Sequence, residues 1–248
     1  MIFVTGDTHG DWMTRLNSHS FPEGVGLTND DYVIICGDFG LWHDTKEERH
    51  NLEWLDNKPF TTLFVCGNHE NYDRLYEYPV EEWNGGKIHK IRDSVFHLMR
   101  GQVFDIQGKR FFTFGGASSH DVQDGILEPD DPRISKWYRD YDKMFRINHT
   151  SWWKEELPSD KEMAEGVMNL EKNDFQVDYV ITHSPYTSVL RQMDGGAGLY
   201  QSDKLTDYLQ QIKDKVIYQK WFFGHMHVNK NFLWDNAIAI YEQIIRIS

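Results

Sequence analysis

Three times near its start the chain repeats one local plan: a short apolar, β-branched run, a glycine, then an oxygen-bearing side chain. Ile2-Phe3-Val4-Thr5 leads to Gly6-Asp7, Tyr32-Val33-Ile34-Ile35-Cys36 to Gly37-Asp38, and Thr62-Leu63-Phe64-Val65-Cys66 to Gly67-Asn68. Apolar runs of this length, halted by glycine, read as strands buried on both faces. The three polar residues lie 31 and 30 positions apart, about the length of one strand–helix–strand unit. Helix signals fill the gaps. Thr45 and Glu48 form a capping box ahead of a helix carrying Leu52 and Leu55 and stopping before Pro59, and Asp11 to Leu16 starts an earlier one. Strand, helix, strand in repetition implies parallel strands with right-handed crossovers. Ligands of such sheets bind beyond the carboxyl ends of the strands. Asp7, Asp38 and Asn68 all fall at that edge.

The middle of the chain has a different rhythm. Between Lys87 and Phe114 short apolar runs alternate with polar turns, including Gln107-Gly108, a pattern that predicts antiparallel strands in a second sheet. Residues 118–153 are rich in aromatics and weakly periodic. Ser159 and Glu162 then cap a helix with Met163, Val167 and Leu170 on one face. Asp178 to Thr182 reads as a strand ending at His183, and Ser202 as the cap of a helix bearing Leu205, Leu209 and Ile212. Trp221 to Phe223 is a strand ending at Gly224-His225. Strands at Phe232 to Trp234, Ala237 to Tyr241 and Ile244 to Ile247 close the chain.

Composition bounds the function. With 248 residues and 40% apolar content the chain can bury a substantial core. No apolar stretch approaches the roughly 20 residues needed to cross a bilayer, and Met1 to Val4 run straight into Gly6-Asp7 with no basic leader, so the expected location is cytoplasmic with no membrane partner. Two cysteines, Cys36 and Cys66, are too few for a disulfide framework and lack a Cys-x-x-Cys spacing. Each closes a strand, which predicts a buried, reduced thiol. The net charge of −13 disfavours a nucleic acid partner.

Five segments join a strand end to metal-ligand side chains: Asp7-Thr8-His9, Asp38, Asn68-His69, His183, and His225-Met226-His227. Side chains two apart on an extended chain share a face, so Asp7 with His9, and His225 with His227, each make a two-pronged grip. Carboxylate, carboxamide and imidazole together suit manganese, iron or zinc, and the lack of thiolate argues against a closed structural zinc site. Asp7, His9, Asp38, Asn68, His183, His225 and His227 are too many ligands for one ion with an open position. They match two ions sharing one carboxylate. A lone Gly-Asp is usually a turn and a lone histidine usually a satisfied polar group; five such segments in order, each at a strand end, reverse that expectation. His19, His43, His50, His89, His97 and His149 sit in no comparable setting and read as structural or surface residues.

Gly6-Asp7-Thr8-His9-Gly10, Gly37-Asp38, Gly67-Asn68-His69-Glu70, Thr182-His183 and Gly224-His225-Met226-His227 resemble the five motifs of the calcineurin-like metallophosphoesterase superfamily. The resemblance runs over nearly the whole chain. It implies an α/β fold, a four-layer α-β-β-α sandwich of two mixed sheets, in a single metallophosphoesterase domain (1–248) with residues 118–153 as an insertion flanking the active site. It implies two divalent or mixed-valence transition metal ions, manganese first, with iron or zinc as alternatives. One ion takes Asp7, His9, Asp38 and His227; the other takes Asp38, Asn68, His183 and His225, with Asp38 as the bridge and His69 as a catalytic histidine that binds no metal. The implied reaction is hydrolysis of a phosphomonoester or phosphodiester by in-line attack of a metal-bridging hydroxide, since two close cations acidify water and clamp both oxygens of such a displacement. Glu70 is expected to orient its loop and not to ligate.

One departure narrows the branch. Serine/threonine protein phosphatases of the superfamily follow the second Gly-Asp with Asp-Arg-Gly, whereas Asp38 is followed by Phe39-Gly40-Leu41-Trp42. Another group must therefore grip the phosphate. Gly115-Gly116-Ala117-Ser118-Ser119, Arg146, Ser151-Trp152-Trp153 and Glu155 resemble a bacterial subgroup, and Arg146 is the candidate for substrate binding, set against a surface arginine paired with an acid such as Asp142. The favoured substrate is a small soluble phosphate ester. The alternatives are a nuclease, opposed by the acidic balance and the lack of a basic stripe, and a non-catalytic metal-binding interaction protein, opposed by the presence of His69.

Overall fold

The computed structural model describes residues 1–248. The chain opens with β1 (Ile2–Thr5), β2 (Tyr32–Ile35) and β3 (Thr61–Phe64), followed by β4 (Val80–Trp83), β5 (Gly86–Lys90) and β6 (Val95–Leu98). A hairpin of β7 (Gln102–Ile106) and β8 (Lys109–Phe114) comes next, then the short β9 (Gly125–Leu127) and β10 (Phe145–Ile147). The last third holds β11 (Tyr179–Thr182), β12 (Lys220–Phe223), β13 (Lys230–Phe232), β14 (Ala237–Ala239) and β15 (Ile244–Arg246). One sheet has the order β15-β1-β2-β3-β6-β5-β4 and the other β13-β14-β12-β11-β8-β7, both mixed. As expected, β1, β2 and β3 are parallel neighbours.

Alternation along the strands builds three apolar layers. Ile2, Val4, Ile34 and Leu63 of the first sheet meet Phe104, Phe111, Ile181 and Phe222 of the second in a core between the sheets. The alternate residues of the same strands, Phe3, Val33, Ile35 and Phe64, turn outward into the layer that holds Trp12, Leu16, Leu52 and Leu55. On the second sheet Phe112, Val180 and Trp221 pack under Leu170, Leu205, Leu209 and Ile212. Strands buried on both faces explain why the runs read as continuous apolar segments. The result is the four-layer α-β-β-α sandwich. Both cysteines are free and buried within it. No helix is long and apolar enough to cross a membrane.

Local signals meet their elements with a few shifts. Thr45 caps the helix Lys46–Asp56, but the Glu48 carboxylate accepts from the N–H groups of Trp42, His43 and Asp44 and does not close the box. Ser159 and Glu162 make a complete capping box for Asp160–Glu171. Asp203, not Ser202, caps Lys204–Lys213. The helix Thr187–Asp194, ended by left-handed Gly195, has no counterpart among the expected elements. The larger correction concerns the middle strands. β5 and β6 stay in the first sheet, with β6 parallel to β3, and only the β7–β8 hairpin enters the second. Alternation reports that one face is buried; it carries no information on which sheet edge is free to accept the strand. The hairpin itself turns at Gln107-Gly108, both with positive φ (53° and 73°), the two-residue turn that matches strand twist.

His89 and His97 face each other across β5 and β6 with Nδ1 atoms 2.9 Å apart and rings stacked at 5.2 Å, both buried. Burial lowers the His89 pKa to about 4, and burial with the His89 and Arg100 charges lowers that of His97 well below the usual imidazole range. Both pKa values are depressed on folding, so the unfolded chain binds more protons below pH ~6.5. Stability is therefore whole above that pH and falls as pH drops toward about 4, by about 3 kcal/mol for His89 alone. Denaturant unfolding at pH 7.5 and 4.5 checks this. The double variant His89→Phe, His97→Leu should lose less stability over the interval than the parent; an equal loss would assign the acid sensitivity elsewhere.

Candidate metal centre

The carboxyl ends of five parallel strands of the two sheets meet at one edge of the sandwich, and the residues following them converge there. Strand ends lie about 5 Å apart, so a side chain leaving one end crosses the backbone of the next. That crossing requires glycine. A Cβ on Gly67 would stand 1.9 Å from Asp38 Oδ1, and one on Gly224 would stand 2.1 Å from Asp7 Oδ1. His9, Asp38, His225 and His227 all have positive φ, between 45° and 64°. The grips expected on extended chain are thus made by left-handed residues. Backbone held in this costly region clusters at functional sites, where surrounding contacts over-determine it.

Asp7, His9, Asp38 and His227 offer ligand atoms that all lie within 4.8 Å of one another. His227 Nε2 is 3.1 Å from Asp7 Oδ2 and 3.1 Å from His9 Nε2, and His9 Nε2 is 3.7 Å from Asp38 Oδ2. On the other side of Asp38, His183 Nε2 lies 3.3 Å from Asp38 Oδ1 and 3.3 Å from Asn68 Oδ1. The His225 ring is 5.0 Å from that of His183. All seven sequence-chosen ligands are therefore gathered around Asp38. His183 Nδ1 lies 2.8 Å from the Cys36 carbonyl, to which it can donate, leaving Nε2 to face the centre. Asp7 accepts the His225 N–H at 3.0 Å on both oxygens, and Asp38 accepts the His69 N–H at 2.8 Å.

The charges show what the pocket can hold. The carboxylates of Asp7 and Asp38 are buried, with 0% and 2% side-chain exposure, and histidines are their only salt-bridge partners. The Arg15 guanidinium donates to the backbone carbonyls of Asp7 and Tyr241 and to Thr5 Oγ1, not to either carboxylate. Burial alone would raise the Asp38 pKa; His183, His69 and His9 outweigh it and hold it far below the carboxylate range. Burial works against the His183 cation too, yet Asp38 and Asp7 lift its pKa to about 9. Burial lowers His9 and His225, whereas the hydrogen bond to Asp7 raises His227. Buried carboxylates demand a cation. The donor set, two carboxylates, one carboxamide and four imidazoles, fits hard-to-borderline divalent ions.

Further residues brace this set. Glu70, fully buried, accepts from the N–H groups of Phe39, Gly40 and Leu41, as expected of a loop-orienting residue. Burial and the Asp38 charge raise its pKa to about 8 against those three donors. Asn68 Nδ2 donates to Ser119 Oγ at 3.4 Å, and Ser119 in turn donates through both N–H and Oγ to the buried Glu156. This chain aims Asn68 Oδ1 at His183. The acid that matters here is Glu156, the neighbour of the Glu155 singled out in the sequence.

Residues 118–153 border the centre. His120 Nε2 is 2.8 Å from His225 Nε2. The sequence signals above do not single out His120, although it directly follows the strand-end segment Gly115 to Ser119. Arg146, on β10, binds Asp121 through two contacts of 2.9 and 2.5 Å, not Asp142. It lies near enough to His69 to help lower that ring's pKa, after burial and alongside His9, with Asp38 opposing. The His69 ring is 5.2 Å from His9 and 6.0 Å from Trp42.

A family model described as calcineurin-like phosphoesterase matches residues 1–229. Among curated proteins, the lariat debranching enzyme of Drosophila melanogaster is 25% identical over 150 residues, 51% of this chain and 26% of that enzyme. The match thus spans about a quarter of the relative's length. Among solved structures, phosphopantetheinyl hydrolase from Mycobacterium tuberculosis aligns over 97% of this chain and 89% of its own at 16% identity, with a TM-score of 0.49.

Proposed function

The chain belongs to the calcineurin-like phosphoesterase family, and on that premise we propose that it hydrolyses phosphate esters of small soluble molecules with two transition metal ions. It is a metal-dependent phosphoesterase. The observation that carries the two-ion reading is the buried carboxylate pair, whose only salt-bridge partners are imidazoles lying on both sides of Asp38, with the Asn68 carboxamide oxygen beside His183. Asp7, His9, Asp38 and His227 would hold one ion, and Asp38, Asn68, His183 and His225 the other. Bound there, the ions would bring a water's pKa near neutrality and offset the charge of the phosphate.

The chain's own groups do the rest. Asp38 accepts the His69 N–H, so the shared ligand is tied to the backbone of the catalytic histidine. The His69 ring, with its lowered pKa, stands where it can carry a proton for the leaving oxygen. Asp121 and Arg146, both from residues 118–153, stand beside it where the Asp-Arg of the protein phosphatase branch is missing after Asp38. That supports a place for the chain in the bacterial subgroup, outside the serine/threonine phosphatases. We read residues 1–248 as one domain, with 118–153 as an insertion at the site.

Arg146 is held in a fork by Asp121, so its guanidinium is pre-positioned to share a phosphate oxygen. Arg146→Ala should lower kcat/KM by more than about tenfold, the scale of one charge-assisted contact, with metal content and melting temperature unchanged. Unchanged kinetics would leave Arg146 as a surface ion pair only.

The deciding experiment is a screen of manganese-reloaded protein against monoesters, diesters, cyclic nucleotides and single-stranded DNA and RNA, with metal content measured in parallel. Turnover of small esters is expected. The similarity to a lariat debranching enzyme is the reason for the nucleic acid arm; preferential cleavage there would replace the small-molecule reading.

A further inference from the structure

A second cavity, of about 400 Å³, opens beside the metal centre and shares His225 with it. Its near wall is Ser118 to His120 with Gln123, its far wall the segment from Leu199 to Asp203. The two walls are tied together where Ser118 Oγ donates to Asp203 Oδ2. His120 closes the corner next to the centre through its 2.8 Å contact with His225. The volume falls in the range of small-ligand sites.

The lining states what such a ligand is made of. No lysine or arginine faces the cavity, and its single carboxylate is Asp203. That carboxylate accepts from Ser118 and from the Thr206 N–H at 2.8 Å. Gln201 and Ser202 are exposed there and make no hydrogen bond within the protein, so their side chains are free to bond a ligand. Pro185, Leu190 and the exposed Leu199 supply an apolar side. Away from the His120 and His225 corner, on the far wall, a second phosphate or a carboxylate would meet Asp203 with no lysine or arginine beside it, which is unfavourable in a partly enclosed site. Hydroxyls would meet uncharged donors and acceptors, and a carbon skeleton would meet the leucines.

Building on the phosphoesterase reading, we infer that this cavity receives the leaving group of the substrate and selects a neutral, polyhydroxylated alcohol of sugar size. The phosphate lies over the metal centre, and the alcohol extends past His225 and His120 between the two walls. On hydrolysis the P–O bond to that alcohol breaks, water supplies the oxygen that remains on phosphate, and the alcohol leaves carrying a proton.

The test pairs binding with turnover and uses a hexose monophosphate, the matching hexose bisphosphate and nitrophenyl phosphate. Calorimetric titration of manganese-loaded His69→Asn protein reads binding apart from catalysis. The monophosphate should bind at least about tenfold more tightly than the bisphosphate, a difference of about 1.4 kcal/mol. Ser202→Lys, which puts a cation on the far wall, should shrink or reverse that ratio. Equal or tighter binding of the bisphosphate to the parent cavity, or a ratio that Ser202→Lys does not move, overturns the inference whatever the turnover. Absence of turnover of both nitrophenyl phosphate and the hexose monophosphate by the otherwise wild-type manganese-loaded protein overturns the phosphomonoester reading on which the inference rests, whatever the titration, so the two fail separately.

Discussion

Asp38→Asn should empty the centre of both ions and lower kcat/KM by at least about 10³, at or beyond the loss seen when a single preorganised electrostatic contact to the transition state is removed. The reason is its position between the two proposed ligand sets. One oxygen lies 3.3 Å from His183 Nε2 and accepts the His69 N–H, while the other faces His9 at 3.7 Å. Asparagine keeps the shape and removes the charge, so neither set retains enough anion to hold a divalent ion. Stability gives a second readout. Ligand bound only to the folded state stabilises by about 2.7 kcal/mol at a hundred times its Kd, so manganese should raise the wild-type melting temperature and leave that of Asp38→Asn unmoved. Metal analysis, thermal melts and kinetics on the same preparation decide it. Retention of one tight ion by Asp38→Asn would remove it as the shared ligand.

His69→Asn should behave in the opposite way, with metal content near normal and turnover of an alkyl ester lowered by about 10²–10⁴, the usual size of a lost acid–base contribution. The backbone N–H of residue 69, which holds Asp38, survives the substitution, and so does the buried Glu70 that fastens residues 39–41. Only the ring is lost. A nitrophenolate departs with little need of a proton, so the loss on nitrophenyl phosphate should be much smaller. Equal losses on both esters would reassign His69 to stabilising charge on the transferring phosphate. Loss of metal together with activity would make it part of the binding shell.

The parallel opening strands and the seven candidate ligands were legible because their signals are local, whereas the four-layer sandwich was implied by the resemblance of the five motifs. An apolar run, a glycine and a carboxylate within six or seven residues specify a strand and what lies just past its end. The spacing of 31 and 30 then specifies a crossover and so a parallel order, which brings Asp7, Asp38 and Asn68 to one edge. Ser159 with Glu162 and Gln107 with Gly108 are equally local, each acting through hydrogen bonds or dihedrals inside one turn. Even the glycines carried information, since a position where a neighbour's ligand crosses the backbone admits no Cβ.

What the tertiary structure alone decided involves groups distant in the chain. The edge that receives β5 and β6 depends on which side of β3 is free once β1 and β2 have paired, and alternation is blind to that. Arg146 takes Asp121 instead of Asp142 because β9 and β10 pair and set the partners. Asn68, Ser119 and Glu156 form one hydrogen-bonded chain across three segments. His120 meets His225 over a separation of 105 residues, with no periodicity or motif to announce it. The left-handed backbone at His9, Asp38, His225 and His227 is likewise a product of the whole. No residue of those types seeks positive φ strongly enough to be assigned it in advance; the packed strand ends impose it, and the geometry of the metal centre follows from that imposition.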